Sequence, residues 1–211
     1  MKKLLDLENW SRKDHFHFFR KFDEPFFGVT ATVDCTAAFE TAKSLGVSFF
    51  VYYLHKTLRA ANQVEPFRYR IEDDKIVVWN QINASPTVSR EDGSFAFSLA
   101  EYHEDLIEFA NATAAEIERV RVTSGLFTRS FEDDNIIHFS ALPWVNFTSL
   151  SHARSYAVKD SCPKISFGKM SISENGTRTM PVSVHVHHGL MDGLHVGQFI
   201  DCLQQELNSR K

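Results

Sequence analysis

The chain has 211 residues, enough for one large domain with a sizeable core, so residues 1–211 are expected to form a single domain. Its net charge of −4 provides no basic field for a nucleic-acid backbone, which excludes DNA and RNA as partners. Hydrophobic residues make up 43%, and the nineteen phenylalanines require burial in a core, a subunit interface or an apolar pocket.

The opening MKKLLDLENW has its apolar run broken by Asp6 and Glu8, unlike a signal peptide. A short helix is predicted around residues 11–22, with Ser11 as a cap. Gly28 to Val33 alternates small and β-branched residues and reads as a strand. Thr36 to Leu45 reads as a helix with Thr36 as cap and Gly46 past its end, and Phe49 to Asn62 as a longer apolar helix. Tyr69–Ile71 and Ile76–Trp79, joined by Glu72-Asp73-Asp74, form a predicted hairpin. Strands follow at Thr87–Ser89 and Phe95–Leu99, then a helix over 103–121 with apolar residues at helical spacing. Ile136–Leu142, Val145–Thr148, Ile165–Ile172 and Met180–His187 read as strands, the last two separated by Glu174-Asn175-Gly176, and Leu194–Arg210 as a closing helix. Strands and helices are mixed without strict alternation, and no GxGxxG or GKS/T loop occurs. The fold expected is therefore α+β, a two-layer sandwich with a mixed, largely antiparallel sheet. No apolar stretch approaches membrane-spanning length. Cys35, Cys162 and Cys202 are odd in number and lack short spacing, which argues against a disulfide framework or a zinc site and points to a reducing, cytoplasmic location.

Residues 183–197, SVHVHHGLMDGLHVG, carry the chemistry. An alternating strand runs into His187 and His188, and a turn with Gly189, Asp192 and Gly193 leads into a helix. A strand end is a rigid platform for a catalytic base, and glycines allow close backbone approach. Adjacent strand histidines point to opposite faces, so only one can serve a given site. His185 and His187 share a face, as a metal-binding HxH pair would, and a purely structural pair is a further alternative.

HHGLMDG fits the HHxxxDG pattern and resembles that of the chloramphenicol acetyltransferases and the acyltransferase domains of 2-oxo-acid dehydrogenases. NWSRKDHFHFF, HFSALPWVNFTS and GQFIDCLQQELNS resemble further blocks of the chloramphenicol acetyltransferase family in the same order, so the resemblance spans essentially the whole chain. It implies that His188 is the general base, accepting the proton of an acceptor hydroxyl as that oxygen attacks the thioester of acetyl-CoA, with no acyl-enzyme. Acetyl-CoA is then a co-substrate, and no tightly bound cofactor or metal is expected. Arg12 and Asp192 would form a buried ion pair that holds the turn, Ser140 would donate to the oxyanion, and Ser166 would stabilise the intermediate through a water, standing where the family has a threonine. Lys169 would lie near the coenzyme A phosphate.

The acceptor pocket implied by the resemblance holds Phe18, Phe27, Phe95 and Phe127 at aromatic positions, Phe19 in place of a tyrosine, Phe97 in place of a small residue and His138 in place of an asparagine. His152 and Arg154 stand where aliphatic side chains are expected, and would either line the pocket or turn outward. Two polar groups in an apolar pocket would penalise an apolar acceptor. The family is a trimer with each site between two subunits, so a homotrimer is expected. The expected function is acetyl-CoA-dependent O-acetylation of chloramphenicol or a related hydroxylated molecule. Alternatives are an unrelated hydroxyl acceptor, a non-catalytic binding protein of the same fold, and a dehydrogenase-complex core, which the absence of a preceding lipoyl domain disfavours.

Overall fold

The computed structural model describes residues 1–130, 134–155 and 159–209. In chain order the elements are β1 (Lys2–Leu4), α1 (Lys13–Phe19), β2 (Phe26–Asp34), α2 (Thr36–Leu45), α3 (Phe49–Gln63), a 3₁₀ turn (Glu65–Arg68), β3 (Tyr69–Glu72), β4 (Lys75–Trp79), β5 (Asn83–Ser89), β6 (Phe95–Phe97), α4 (Leu106–Val122), β7 (Ile136–Leu142), β8 (Lys164–Gly168), β9 (Ser171–Ile172), β10 (Arg178–His187) and α5 (Gly193–Asn208).

The main sheet runs β2-β10-β8-β7-β5-β6, with β9 on β10. β8 and β5 flank β7 in parallel, and the other pairs are antiparallel. β1, β4 and β3 form a separate antiparallel ribbon whose turn places Asp73 and Asp74 at φ 46° and 65°. This is the expected mixed, largely antiparallel sheet, with helices against it.

Strand alternation decides what each face of the sheet does. Val182, Val184 and Val186 of β10, Ile165 and Phe167 of β8, and Ile137 and Phe139 of β7 join the apolar core. Tyr53 of α3 rests against Phe139 and Phe167, and α5 packs on α3 and β2. Each such valine contributes about 1.5–3 kcal/mol by leaving water, so Val184→Asp would break the layer. The residues between them face away from the core, and they are polar. Ser140, Ser166, Ser183 and Thr30 stand in one register line across β7, β8, β10 and β2. His138, Lys164, His185 and Gly28 form the adjacent line. A one-residue slip of any of these strands would exchange the two sets.

Several boundaries differ from the sequence reading. The α1 cap position is Arg12 rather than Ser11, and α2 is capped by the Asp34 carboxylate, which accepts from the Thr36 N–H at 2.8 Å. Val145–Thr148 is not a strand. It passes close over β8 instead, where a Cβ on Gly168 would meet the Val145 carbonyl at 2.8 Å. The strand expected over Ile165–Ile172 is broken at Lys169-Met170 into β8 and β9. β1 and the 3₁₀ turn, too short to show a period, were not anticipated. Arg210, the expected end of the last helix, lies outside the described residues.

Candidate active site

β10 delivers two adjacent histidines to one end of the sheet, and their surroundings differ. The His188 N–H donates to the Pro25 carbonyl at 2.8 Å, and its carbonyl accepts from Arg12 Nη2 at 3.1 Å. Phe19 of α1 stacks on the imidazole at 3.9 Å and 9°, and Phe27 of β2 closes in at 4.6 Å. Backbone and ring are thus both held, while Nδ1 is buried without a hydrogen-bond partner among the described residues. His187 is buried, its ring is edge-on to Phe26, and its Nδ1 accepts from the Gly189 N–H at 3.1 Å. Burial, aided by the Arg154 charge, pushes its pKa down to about 4. His187 is a neutral, engaged side chain. Gly189 is needed here because a Cβ would sit 3.0 Å from the His187 ring.

Asp192 caps α5. Its carboxylate accepts from the Leu194 N–H at 3.1 Å, and His195 completes a capping box. The other carboxylate oxygen pairs with Arg12 Nη1. Burial works against the Asp192 charge, but Arg12 and His195 outweigh it and hold the carboxyl below its ordinary range. The ion pair is present beside His188 as expected, but it is not wholly buried in the single chain: the side chains of Arg12 and Asp192 are 10% and 33% exposed.

Ser140 belongs to a second locus. It lies in a cleft of about 740 Å³ with an aromatic wall of Phe95, Phe97 and Phe127 and a polar wall that includes His138, His152, Arg154, Asp160 and Lys164. Phe97 stacks on Phe127 at 5.2 Å in the aromatic wall. The nine residues expected to form one acceptor pocket are divided: Phe19 and Phe27 pack on His188, Phe18 packs on Phe19 at 5.0 Å, and the other six line the cleft. Ser140 pairs in register with Ser166 and Ser166 with Ser183, and His188 lies just beyond the end of β10. Strand spacing along and across the sheet then separates His188 from Ser140 by about 19 Å within one chain. Ser166 lies between Ser140 and Ser183, and its buried Oγ has no partner among the described residues. Lys169 is exposed just past β8.

His152 and Arg154 both line the cleft rather than turning outward. The His152 ring meets His185 edge-on at 4.8 Å, and its Nε2 is buried without a partner among the described residues. Burial first, then nearby positive charge, pushes the pKa values of His152 and His138 down to about 4. The Arg154 guanidinium lies 3.4 Å over the Phe26 ring and 3.1 Å from the Glu24 carboxylate. Arg154 therefore lines the cleft with its charge already matched by Glu24. His185 lies flat against β2 because Gly28 has no Cβ, which would stand 2.3 Å from its Nε2.

The sequence reading missed the Lys164–Asp160 ion pair in the polar wall. The available signal was parity: Lys164 and Ser166 are two apart on one strand and share a face. His185 and His187 join no cluster of metal donors among the described residues. The group that does form is His138, Asp160 and Cys162, whose donor atoms lie within 4.8 Å of one another. Cysteine spacing carries no sign of it, because its members come from two separate stretches of chain.

A family profile described as "Chloramphenicol acetyltransferase" matches residues 2–204. "Chloramphenicol acetyltransferase 3" of Escherichia coli is 31% identical over 207 residues, covering 98% of this chain and 97% of that protein. A chloramphenicol acetyltransferase of Bacillus pumilus is 27% identical, covering 97% and 92%. A solved structure described as a chloramphenicol acetyltransferase superposes with a TM-score of 0.89 at 33% identity, covering 98% of this chain and 100% of that one. The cubic core of the pyruvate dehydrogenase complex, at TM-score 0.64 and 16% identity, shares the fold.

Proposed function

The chain belongs to the chloramphenicol acetyltransferase family, and on that premise we propose that it moves the acetyl group of acetyl-CoA to a hydroxyl of chloramphenicol or a closely related molecule at sites shared between copies of the chain. His188 takes the acceptor proton on Nε2 as the hydroxyl oxygen attacks the thioester carbonyl. Ser140 of a neighbouring copy donates to the resulting oxyanion, which is absent from the ground state. Ser166 supports the same intermediate through a water. Collapse expels the coenzyme A thiolate, which takes the proton back from His188, leaving the acetyl ester and the free thiol. Arg12 and Asp192 fix the histidine by holding its carbonyl and the start of α5. Lys169 contributes to holding the coenzyme A phosphate. The polar wall made by His138, His152 and Arg154 sets which acceptors fit.

The observation that supports this reading most directly is the division of the machinery. The imidazole held by Phe19, Phe27 and Arg12 and the cleft holding Ser140 do not meet in one chain. A homotrimer supplies the missing half from its neighbour, and exposed Phe95 and Phe127 fit such an interface. No helix among the described residues is long and apolar enough to cross a membrane, which fits a cytoplasmic enzyme. We also take residues 1–211 as one domain, since one core cluster includes residues from Phe16 to Leu207.

The test is coenzyme A release, followed with a thiol reagent, from wild type and from two inactive variants. His188→Ala and Ser140→Ala should each lose most activity alone. Co-refolded together, they should recover roughly a quarter of the wild-type sites, because random assembly places an intact His188 opposite an intact Ser140 at that frequency. No recovery from a properly assembled mixture would refute shared sites. No release with chloramphenicol or related alcohols would refute the activity.

A further inference from the structure

We propose that His138, Asp160 and Cys162 form a binding site for a divalent transition metal of the zinc class in the polar wall of the Ser140 cleft. The donors are one imidazole nitrogen, one carboxylate oxygen and one thiol sulfur, all within 4.8 Å of one another. This donor set suits zinc and cobalt rather than magnesium or calcium. Ligand atoms around a tetrahedral zinc stand roughly 3.3–3.8 Å apart, so closing the site needs side-chain shifts of only about 1 Å.

The fold already fixes the three groups. His138 is held in β7, opposite Lys164 of β8. The Cys162 N–H donates to Asp160 Oδ1 at 2.8 Å, which ties two ligands together before any ion arrives. The Cys162 thiol is buried and makes a long 3.8 Å contact to the Asp134 carbonyl. The same carbonyl accepts from Nε of the fully buried Arg70 at 2.7 Å, which fixes the acceptor behind the sulfur. His152, on the same wall, has a buried Nε2 without a partner among the described residues.

Two exchanges accompany binding. Cys162 loses its thiol proton to solvent as the metal–sulfur bond forms. The Lys164 ammonium, now paired with Asp160, gives up the carboxylate to the metal. Lys164 is therefore the built-in competitor of the ion. All three donors line the cleft that holds Ser140, so we place the remaining coordination position on that cleft, where a bound metal would exclude the acceptor. That last consequence rests on the acetyltransferase reading, whereas metal binding itself does not.

Titration of the purified, assembled protein with Co²⁺ at neutral pH tests the site. The expected result is a sulfur-to-cobalt charge-transfer band in the near ultraviolet, with the intense visible bands of tetrahedral cobalt, saturating at one ion per chain and erased by Zn²⁺. Cys162→Ser should lose the charge-transfer band, whereas Cys202→Ser should keep it. Lys164→Met should tighten binding by about tenfold or more by removing the competing ammonium. His138→Gln should weaken binding, which provides a second arm if Cys162→Ser misfolds. A weak octahedral spectrum in wild type, or a charge-transfer band that survives Cys162→Ser, would overturn the site whatever the enzyme acetylates. Zn²⁺ inhibition competitive with the acceptor and not with acetyl-CoA would support the open position on the cleft. A full cobalt band without such inhibition in an active enzyme would overturn that placement.

Discussion

Asp192→Ala should cost stability through two separable losses. Asp192 caps α5 through the Leu194 N–H, and losing such a cap costs about 1 kcal/mol. It also pairs with Arg12, which is 10% exposed at the side chain against 33% for Asp192. An exposed pair contributes up to about 1 kcal/mol and breaking a fully buried one costs about 3–5, so this half-buried pair is set at about 2. The total of about 3 kcal/mol lowers Tm by roughly 6–12 °C in a domain of this size. Asn retains the cap acceptor but not the charge, so Asp192→Asn should recover about 1 kcal/mol of the loss. Denaturant and thermal unfolding at one fixed protein concentration would measure both, since an oligomer's stability depends on concentration. The folded Asp192 titrates below its ordinary 3.8, so its contribution is complete above that pH and disappears as pH falls through the lower folded value. An Ala variant within about 0.5 kcal/mol of wild type would refute the argument. An Asn variant as stable as wild type would refute the ion-pair share alone.

His188→Ala should lower coenzyme A release by about 10²–10⁴-fold, while His187→Ala should lose less activity and more stability because His187 packs on Phe26 and accepts from Gly189. Ser140→Ala should lower turnover by about 10²–10³-fold with little change in apparent affinity for acetyl-CoA, and unchanged turnover with weakened binding would assign Ser140 to ground-state contacts. The protein should lose stability in acid well above the carboxylate range. His138, His152 and His187 have folded pKa values depressed to about 4, so their contribution is complete above about 6.5 and is lost as pH falls from there toward 4. Urea midpoints across that interval should fall for wild type and fall less for His187→Gln, and parallel curves would remove His187 from the account. Replacing Arg154 by Val and His152 by Leu should raise kcat/KM for chloramphenicol if the polar wall disfavours it, and an unchanged value would show that these side chains do not set acceptor choice.

What could be read in the sequence depended on the range of the signal. Strands such as Ile136–Leu142 and helices such as Thr36–Leu45 match their predicted bounds because alternation, helical spacing and Gly46 act over a few residues. The weaker expectations failed where local and global demands part. Val145–Thr148 has strand-like residues, but that stretch crosses over β8, and a β-strand needs a partner as well as a propensity. Arg12 next to Asp192, 180 residues away, was accessible only through resemblance, since nothing local marks an arginine at a helix start as the partner of a distant cap. The Lys164–Asp160 pair and its neighbours were visible in principle through strand parity, but only once the polar face of β7 was known to line the cleft through His138 and Ser140.

The division of the site follows from the same alternation. Position 188 lies beyond the end of β10 and is opposite in parity to Ser183 and His185, whereas Ser140 shares the face of Ser183 through Ser166. No rotamer or loop closure can bring two groups about 19 Å apart, on different parts of a rigid sheet, to one reacting carbonyl. In the proposed trimer a second copy would supply the partner group. The polar face of this sheet is then not an uncovered layer in want of helices. In the proposed assembly the cleft residues Ser140, His138 and Lys164 would be the wall that a neighbouring His188 faces, which would account for hydroxyl and imidazole side chains on the face of β7 and β8 opposite the apolar core.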